Sequence, residues 1–220
     1  MSKKVAVVLS GCGVYDGAEI YEATLVQLRL DEAGVEFQCM APNTEQMHVV
    51  NHVTGKDMPE KRNVMVEAGR LCRGKIIDMA KANPDDYAAV IFPGGFGAAK
   101  NLCNFATVSN PNDFRVFAEP ARFAKAMHAQ KKPIGLICIA PVMAPALFGD
   151  GAICTIGNDD DPAANFIRAS GGVHKACAVD GIVVDEANKV VSTPAYMLAT
   201  RISEASAGIT KLVNEIIRRM

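Results

Sequence analysis

Cys138 stands where one apolar run ends and another begins. Pro133-Ile134-Gly135-Leu136-Ile137-Cys138 leads into Ile139-Ala140-Pro141-Val142-Met143-Ala144-Pro145-Ala146-Leu147. The first run has the length of a short buried strand, and the second can open a helix with Pro in its first turn. A thiol at such a turn is held outward at the carboxyl edge of a sheet. It also faces helix amides, which are expected to lower its pKa. This is a nucleophile elbow, with Cys in the place usually held by Ser. An arbitrary cysteine is more often a small core residue, so the reading needs partners at neighbouring strand ends.

Two segments supply them. On the helical pattern at 18–33, Glu22 shares a face with Ala18, Leu25 and Val26, by the spacing of three to four residues. A carboxylate on the face that meets a sheet needs a partner. Either Glu22 pairs with Arg29 or lies at the edge of the stripe, or it points into a site. The second segment is Val90-Ile91-Phe92-Pro93-Gly94-Gly95. Paired glycines at a strand end leave amide N–H groups free to face a substrate oxygen, although Pro-Gly-Gly is also a common turn. The N–H of Ile139 is the matching donor from the elbow itself.

Other chemistry is poorly supported. Gly11-Cys12-Gly13-Val14-Tyr15-Asp16-Gly17 approaches a dinucleotide-binding fingerprint. However, Asp16 occupies the place of the third glycine and would repel a pyrophosphate. His48 and His52 lie on a stretch that reads as extended, where residues four apart are separated by about 13 Å, so no metal is expected there. Asn158-Asp159-Asp160-Asp161-Pro162 reads as a helix cap rather than a cation site. The seven cysteines include no Cys-x-x-Cys pair and are expected to be reduced, mostly in the core.

The rest of the chain has to position these groups. Its 220 residues are 50% hydrophobic and 21% charged with a net charge of −1. That fits one domain over 1–220 and gives no electrostatic footprint for nucleic acid or a membrane surface. No run is long enough to cross a bilayer and no signal peptide is recognised, so a cytoplasmic location is expected. Strand-like runs at 5–9, 36–40, 88–92, 134–138 and 152–156 alternate with helical patterns at 18–33, 63–82, 114–130 and 162–169. A β-hairpin is expected over 181–193, followed by a long amphipathic helix over 197–219. This order predicts an α/β sandwich with a mainly parallel sheet, whose sites lie beyond the carboxyl ends of strands. The polar stretch 43–62 reads as a long functional loop.

Three segments resemble the signatures of the PfpI-type, class I glutamine-amidotransferase-like superfamily. They are Gly17-Ala18-Glu19-Ile20-Tyr21-Glu22, Pro93-Gly94-Gly95 with Gly97-Ala98-Ala99-Lys100-Asn101-Leu102, and Ile137-Cys138-Ile139-Ala140-Pro141. Within it, Ser10–Gly17 and Ser192-Thr193-Pro194-Ala195-Tyr196-Met197 are similar to the enhancing lycopene biosynthesis (sigma cross-reacting) group. The resemblance implies a flavodoxin-like sandwich, Cys138 as nucleophile with Glu22 hydrogen-bonded to it, and amides of Gly94, Gly95 and Ile139 facing the reacting oxygen. It also implies cofactor-independent, glutathione-independent glyoxalase chemistry on a small dicarbonyl, and a homodimer. The chain departs from many relatives in having Ile139, not His, after the nucleophile, and no His in Thr155-Ile156-Gly157-Asn158. Spacing does not place His128 or His174 beside Cys138. Without an imidazole, amide hydrolysis lacks its usual proton shuttle. The rival expectation is a redox-responsive or regulatory binding protein using the same cysteine, linked to isoprenoid metabolism only through the group's name.

Overall fold

The computed structural model describes residues 4–220. In chain order its regular elements begin with β1 (Lys4–Val8), α1 (Ile20–Glu32), β2 (Phe37–Ala41), β3 (Val50–Asn51), β4 (Lys56–Asp57) and α2 (Val64–Ala68). Then come β5 (Ile76–Asp78), β6 (Tyr87–Phe92), α3 (Ala118–Ala129), β7 (Ile134–Ile137), α4 (Ala144–Phe148) and β8 (Ile153–Cys154). The chain closes with α5 (Pro162–Ala169), β9 (Val173–His174), β10 (Val183–Asp185), β11 (Val190–Thr193) and α6 (Ile202–Arg219).

Among the described residues, seven strands form one sheet in the order β10-β11-β7-β6-β1-β2-β5. All pairings are parallel except β10 with β11, the expected late hairpin. The central strands are apolar on both sides because helices cover both faces. Val5, Val7, Ile91, Phe92, Ile134 and Leu136 are fully buried. On one face α1 packs against α6, where Arg29 reaches Thr210 and Ser206 at 3.0 and 3.2 Å. Crossovers running the other way put α3 and α4 on the opposite face. Strand order reverses between β1 and β6, which opens a crevice at their carboxyl ends. This is the expected flavodoxin-like three-layer sandwich.

Three local expectations are corrected. The helical pattern at 63–82 breaks into α2, a 3-10 turn at Gly69–Cys72, the edge strand β5 and a second 3-10 turn at Met79–Lys81, with Arg73 in the left-handed region at φ 55° before β5. Ile76 and Ile77 continue an apolar spacing that a helix and a short strand share, and pairing with Cys39 and Met40 decides for the strand. The run 152–156 yields only β8, which pairs with β9 outside the main sheet. The stretch 43–62, expected as a loop, contains regular structure: β3 and β4 form a small antiparallel hairpin. It docks on the 11–17 loop through Val50, whose N–H donates to Asp16 at 2.7 Å, and through His52, stacked on Tyr15 at 4.9 Å.

The loops after β1 and β6 touch backbone to backbone. A Cβ on Gly97 would lie 2.5 Å from Gly17 Cα and carbonyl carbon, a contact that needs the main chain itself to move. Gly97→Ala is therefore expected to lower stability by about 1–3 kcal/mol or more, read from the midpoint of a urea titration. An unchanged midpoint would show that the loops can part freely.

Candidate active site

β7 ends at Ile137 and the chain turns at once. Cys138 has φ 60°, one of the few non-glycine residues in the left-handed region. That conformation costs on the order of 1–3 kcal/mol and persists only where the surroundings impose it. Here the Cys138 N–H donates to the Thr193 carbonyl of β11 at 3.0 Å. The chain then enters a 3-10 turn, Ala140–Met143, with Pro141 in its first positions, and continues as α4. The expected elbow is present.

Its partner is Glu22. The side chain is fully buried on the inner face of α1, and the alternative pairing with Arg29 is not made, because Arg29 bridges Glu32 at 2.5 Å. Three donors meet the Glu22 carboxyl. Gly94 N–H reaches Oε2 at 2.8 Å, Tyr196 N–H reaches Oε1 at 3.3 Å, and the Cys138 thiol is hydrogen-bonded to it. The start of α1 is clamped from both sides. Glu19 caps the helix by accepting from Glu22 N–H at 2.7 Å, while its own N–H donates to the Gly94 carbonyl at 3.0 Å.

One expected donor is corrected. The Gly94 amide is occupied by Glu22 and does not face a substrate oxygen. Glycine is required there for space: a Cβ would strike Cβ of Cys138 and lie 2.8 Å from both Glu22 Oε2 and the Ile137 carbonyl. The amides of Gly95 and Ile139 are the ones hydrogen-bonded to the Cys138 sulfur. Tyr196, whose N–H completes the carboxyl cage, was not singled out by sequence reasoning. The available signal was the Ser192–Met197 segment as a whole, quoted for its resemblance and given no role, with Pro194 turning the chain just past β11.

Burial governs the charges. It pushes the Glu22 carboxyl from about 4.5 up to about 8, reinforced by the neighbouring Glu19 and opposed by the Gly94 and Tyr196 amides. Burial also raises the Cys138 thiol, with repulsion from Glu22 adding to it and the Gly95 and Ile139 N–H groups opposing. The expected lowering by helix amides is thus overridden, because a thiol only 7% exposed loses more hydration than two amides restore. The resting pair is a protonated thiol beside a carboxyl that keeps its proton up to about 8.

Neither histidine serves Cys138. His128, at the end of α3, is hydrogen-bonded to Asn188 at 3.0 Å in the β10–β11 turn, at the opposite edge of the sheet. His174 reaches the 155–158 segment from β9, but its Nε2 accepts the Ile156 N–H at 3.1 Å and its Nδ1 meets Asp159 at 3.0 Å. Asp161 caps α5, accepting from Ala163 N–H at 2.8 Å. Asp16 is buried in the 11–17 loop. Among the described residues no His, Cys, Asp and Glu side chains converge as a metal site, and no helix is long and apolar enough to cross a membrane.

A parallel α/β sandwich with a cysteine elbow and a buried glutamate partner defines a class I glutamine-amidotransferase-like protein. The human protein named glutamine amidotransferase-like class 1 domain-containing protein 3, mitochondrial, is 43% identical over 223 residues, covering 97% of this chain and 82% of its own. A crystal structure from Ehrlichia chaffeensis, described as an isoprenoid biosynthesis protein with an amidotransferase-like domain, matches with a TM-score of 0.90 at 33% identity, covering 99% of this chain and 100% of that one. Glyoxalase III from Candida albicans matches with a TM-score of 0.61 at 12% identity over 100% of this chain and 98% of that one, a likeness of fold alone. No family model matches the chain. The chain belongs to the ES1 family of glutamine-amidotransferase-like class 1 domain proteins, as the resemblance implied. The expected cytoplasmic location is corrected: the human relative is named mitochondrial, and so are the rat and zebrafish ones.

The Glu22–Cys138 pair makes a signed prediction. The folded Glu22 holds its proton from about 4.5 up to about 8, where the unfolded chain has released it. Its contribution to stability is therefore full below that window and is lost as pH rises through it. Glu22→Gln should remove that part of the decline in urea-unfolding series, and should speed iodoacetamide alkylation of Cys138 above about pH 8, where the ionised Glu22 otherwise repels the thiolate. Equal pH slopes in both proteins, or slower alkylation in the variant, would refute this account.

Proposed function

We propose that the chain is a glyoxalase-type lyase, converting glyoxal or methylglyoxal to the 2-hydroxy acid without cofactor or glutathione. The observation that carries this reading is the buried carboxyl of Glu22 hydrogen-bonded to the Cys138 thiol. A carboxyl poised near neutrality can take up and return protons, which is the demand this chemistry makes.

The steps balance without an outside oxidant. The Cys138 sulfur adds to one aldehyde carbon of glyoxal, its proton passes through Glu22 to the carbonyl oxygen, and a hemithioacetal forms. Glu22 then takes the proton from that carbon while the second carbonyl oxygen is protonated, giving an enediol, and returns a proton to the neighbouring carbon as the hydroxyl on the sulfur-bearing carbon releases its own to become the thioester carbonyl. One carbonyl is thereby reduced to an alcohol and the other oxidised to a thioester. Water cleaves the thioester, releasing glycolate and the free thiol. The Gly95 and Ile139 amides are the donors for the oxygen on the sulfur-bearing carbon. Both already face the sulfur, whereas Gly94 serves Glu22. His128 and His174 are committed to Asn188, Ile156 and Asp159 and bring no imidazole to the pair, which bears against peptide or glutamine hydrolysis.

The reading includes a homodimer. Tyr15, Ile20, Tyr21 and Phe96 are each more than two-fifths exposed on the loops and helix beside the site, where a second copy would cover them. A monomer by sedimentation velocity at micromolar concentration would overturn that part.

Cys138→Ser should abolish turnover of glyoxal to glycolate by the purified chain, and Glu22→Gln should lower it by about 10²-fold or more. Full turnover in the serine variant would sink the enzyme reading. Background turnover in the wild type, with selective peroxide oxidation of Cys138, would favour the redox-responsive alternative.

A further inference from the structure

A second pair of thiols lies away from Cys138. Cys39 is on β2, and Cys72 closes the 3-10 turn after α2. Each thiol shifts the other's ionisation, while the Cys72 thiol donates to the Ala68 and Gly69 carbonyls at 3.6 and 3.7 Å. Gln27 of α1 ties the two segments together: its Oε1 accepts from the Cys39 thiol at 3.6 Å, and its Nε2 donates to the Leu71 carbonyl at 3.3 Å. The thiols also border a surface cleft of about 980 Å³, whose walls include Gln27, Phe37, Leu71 and Arg73. A small solute therefore has a route to them. The Cys138 site uses neither residue.

Two facing thiols at a cleft suit either a thiophilic metal or a disulfide. Among the described residues no third ligating side chain joins them, which leaves the disulfide. Their mutual interaction raises Cys39 and lowers Cys72, so the Cys72 sulfur ionises first and Cys39 retains the proton that a resolving thiol must give up.

We propose that Cys39 and Cys72 form a reversible intramolecular disulfide with a peroxide as oxidant, a modification site separate from Cys138. The Cys72 thiolate attacks one peroxide oxygen, the O–O bond breaks, and hydroxide leaves from a new sulfenic acid. The Cys39 sulfur then attacks the Cys72 sulfur, displacing that oxygen as water with the Cys39 proton. Two thiols and one hydrogen peroxide become one disulfide and two waters, with two electrons passing from sulfur to oxygen. A small-molecule dithiol reverses it by exchange.

Peptide mapping tests this directly on the whole chain. The protein is treated with hydrogen peroxide, its remaining thiols are blocked, and it is digested with trypsin without reduction. The expected product links Leu30–Lys56, which carries Cys39, to Leu71–Arg73, which carries Cys72. It should weigh two hydrogens less than the separate peptides, vanish on dithiothreitol treatment, and form equally in Cys138→Ser. Recovery of both peptides as blocked thiols, as separate sulfinic or sulfonic acids, or linked to any other cysteine would overturn the proposal.

Discussion

A buried carboxyl group, with no countercharge among the described residues that act on it, organises the carboxyl edge of this sheet. Glu22 cannot ionise cheaply inside the protein, so its oxygens are met by donors from three separate segments: the turn after β6, the turn after β11, and Cys138 itself. Those segments are far apart in sequence. Each hydrogen bond to Glu22 is therefore also a register constraint on the sheet, fixing where β6, β7 and β11 end relative to α1. The absent side chain at Gly94 has the same origin, since the space a Cβ would fill is occupied by Cys138 and Glu22.

The same desolvation sets the chemistry. A cysteine activated as a free thiolate needs nearby positive charge or solvent; Cys138 is buried, and no cation among the described residues acts on it. It has a base that shares its burial. Two acids that each resist ionisation, joined by a hydrogen bond, keep the sulfur protonated at rest and make its activation depend on proton transfer within the pair. Such a pair is suited to an electrophile that accepts the proton as it accepts the sulfur, as an aldehyde does. It is ill suited to an amide, whose leaving nitrogen needs a proton from an acid placed on its far side. His128 and His174 cannot supply it, being held by Asn188, Ile156 and Asp159.

Much of this was readable in the chain because apolar periodicity and turn chemistry are local. The strand ending at Cys138, the glycines after Phe92, the cap at Asp161 and the hairpin over 181–193 all follow from neighbouring residues. The 63–82 segment misled because Ile76 and Ile77 suit a helix face as well as an edge strand, and only pairing with β2 separates the two. The role of Tyr196 was invisible for a different reason: it contributes a backbone N–H, which every residue but proline possesses, so its side chain carries no signal.

By itself the sequence determined the layered α/β architecture, the elbow cysteine and the short set of groups able to serve it, because these rest on residue type and spacing. Tertiary structure decided the protonation of those groups and their partners. Spacing could place Glu22 on the inner face of its helix, but not choose between Arg29 and Cys138. It could point amides at a strand end, but not show that Gly94 is committed to Glu22 while Gly95 and Ile139 face the sulfur. Hydrogen bonding and desolvation depend on everything packed around an atom, and for Cys138 those surroundings come from strands and helices spread over most of the chain.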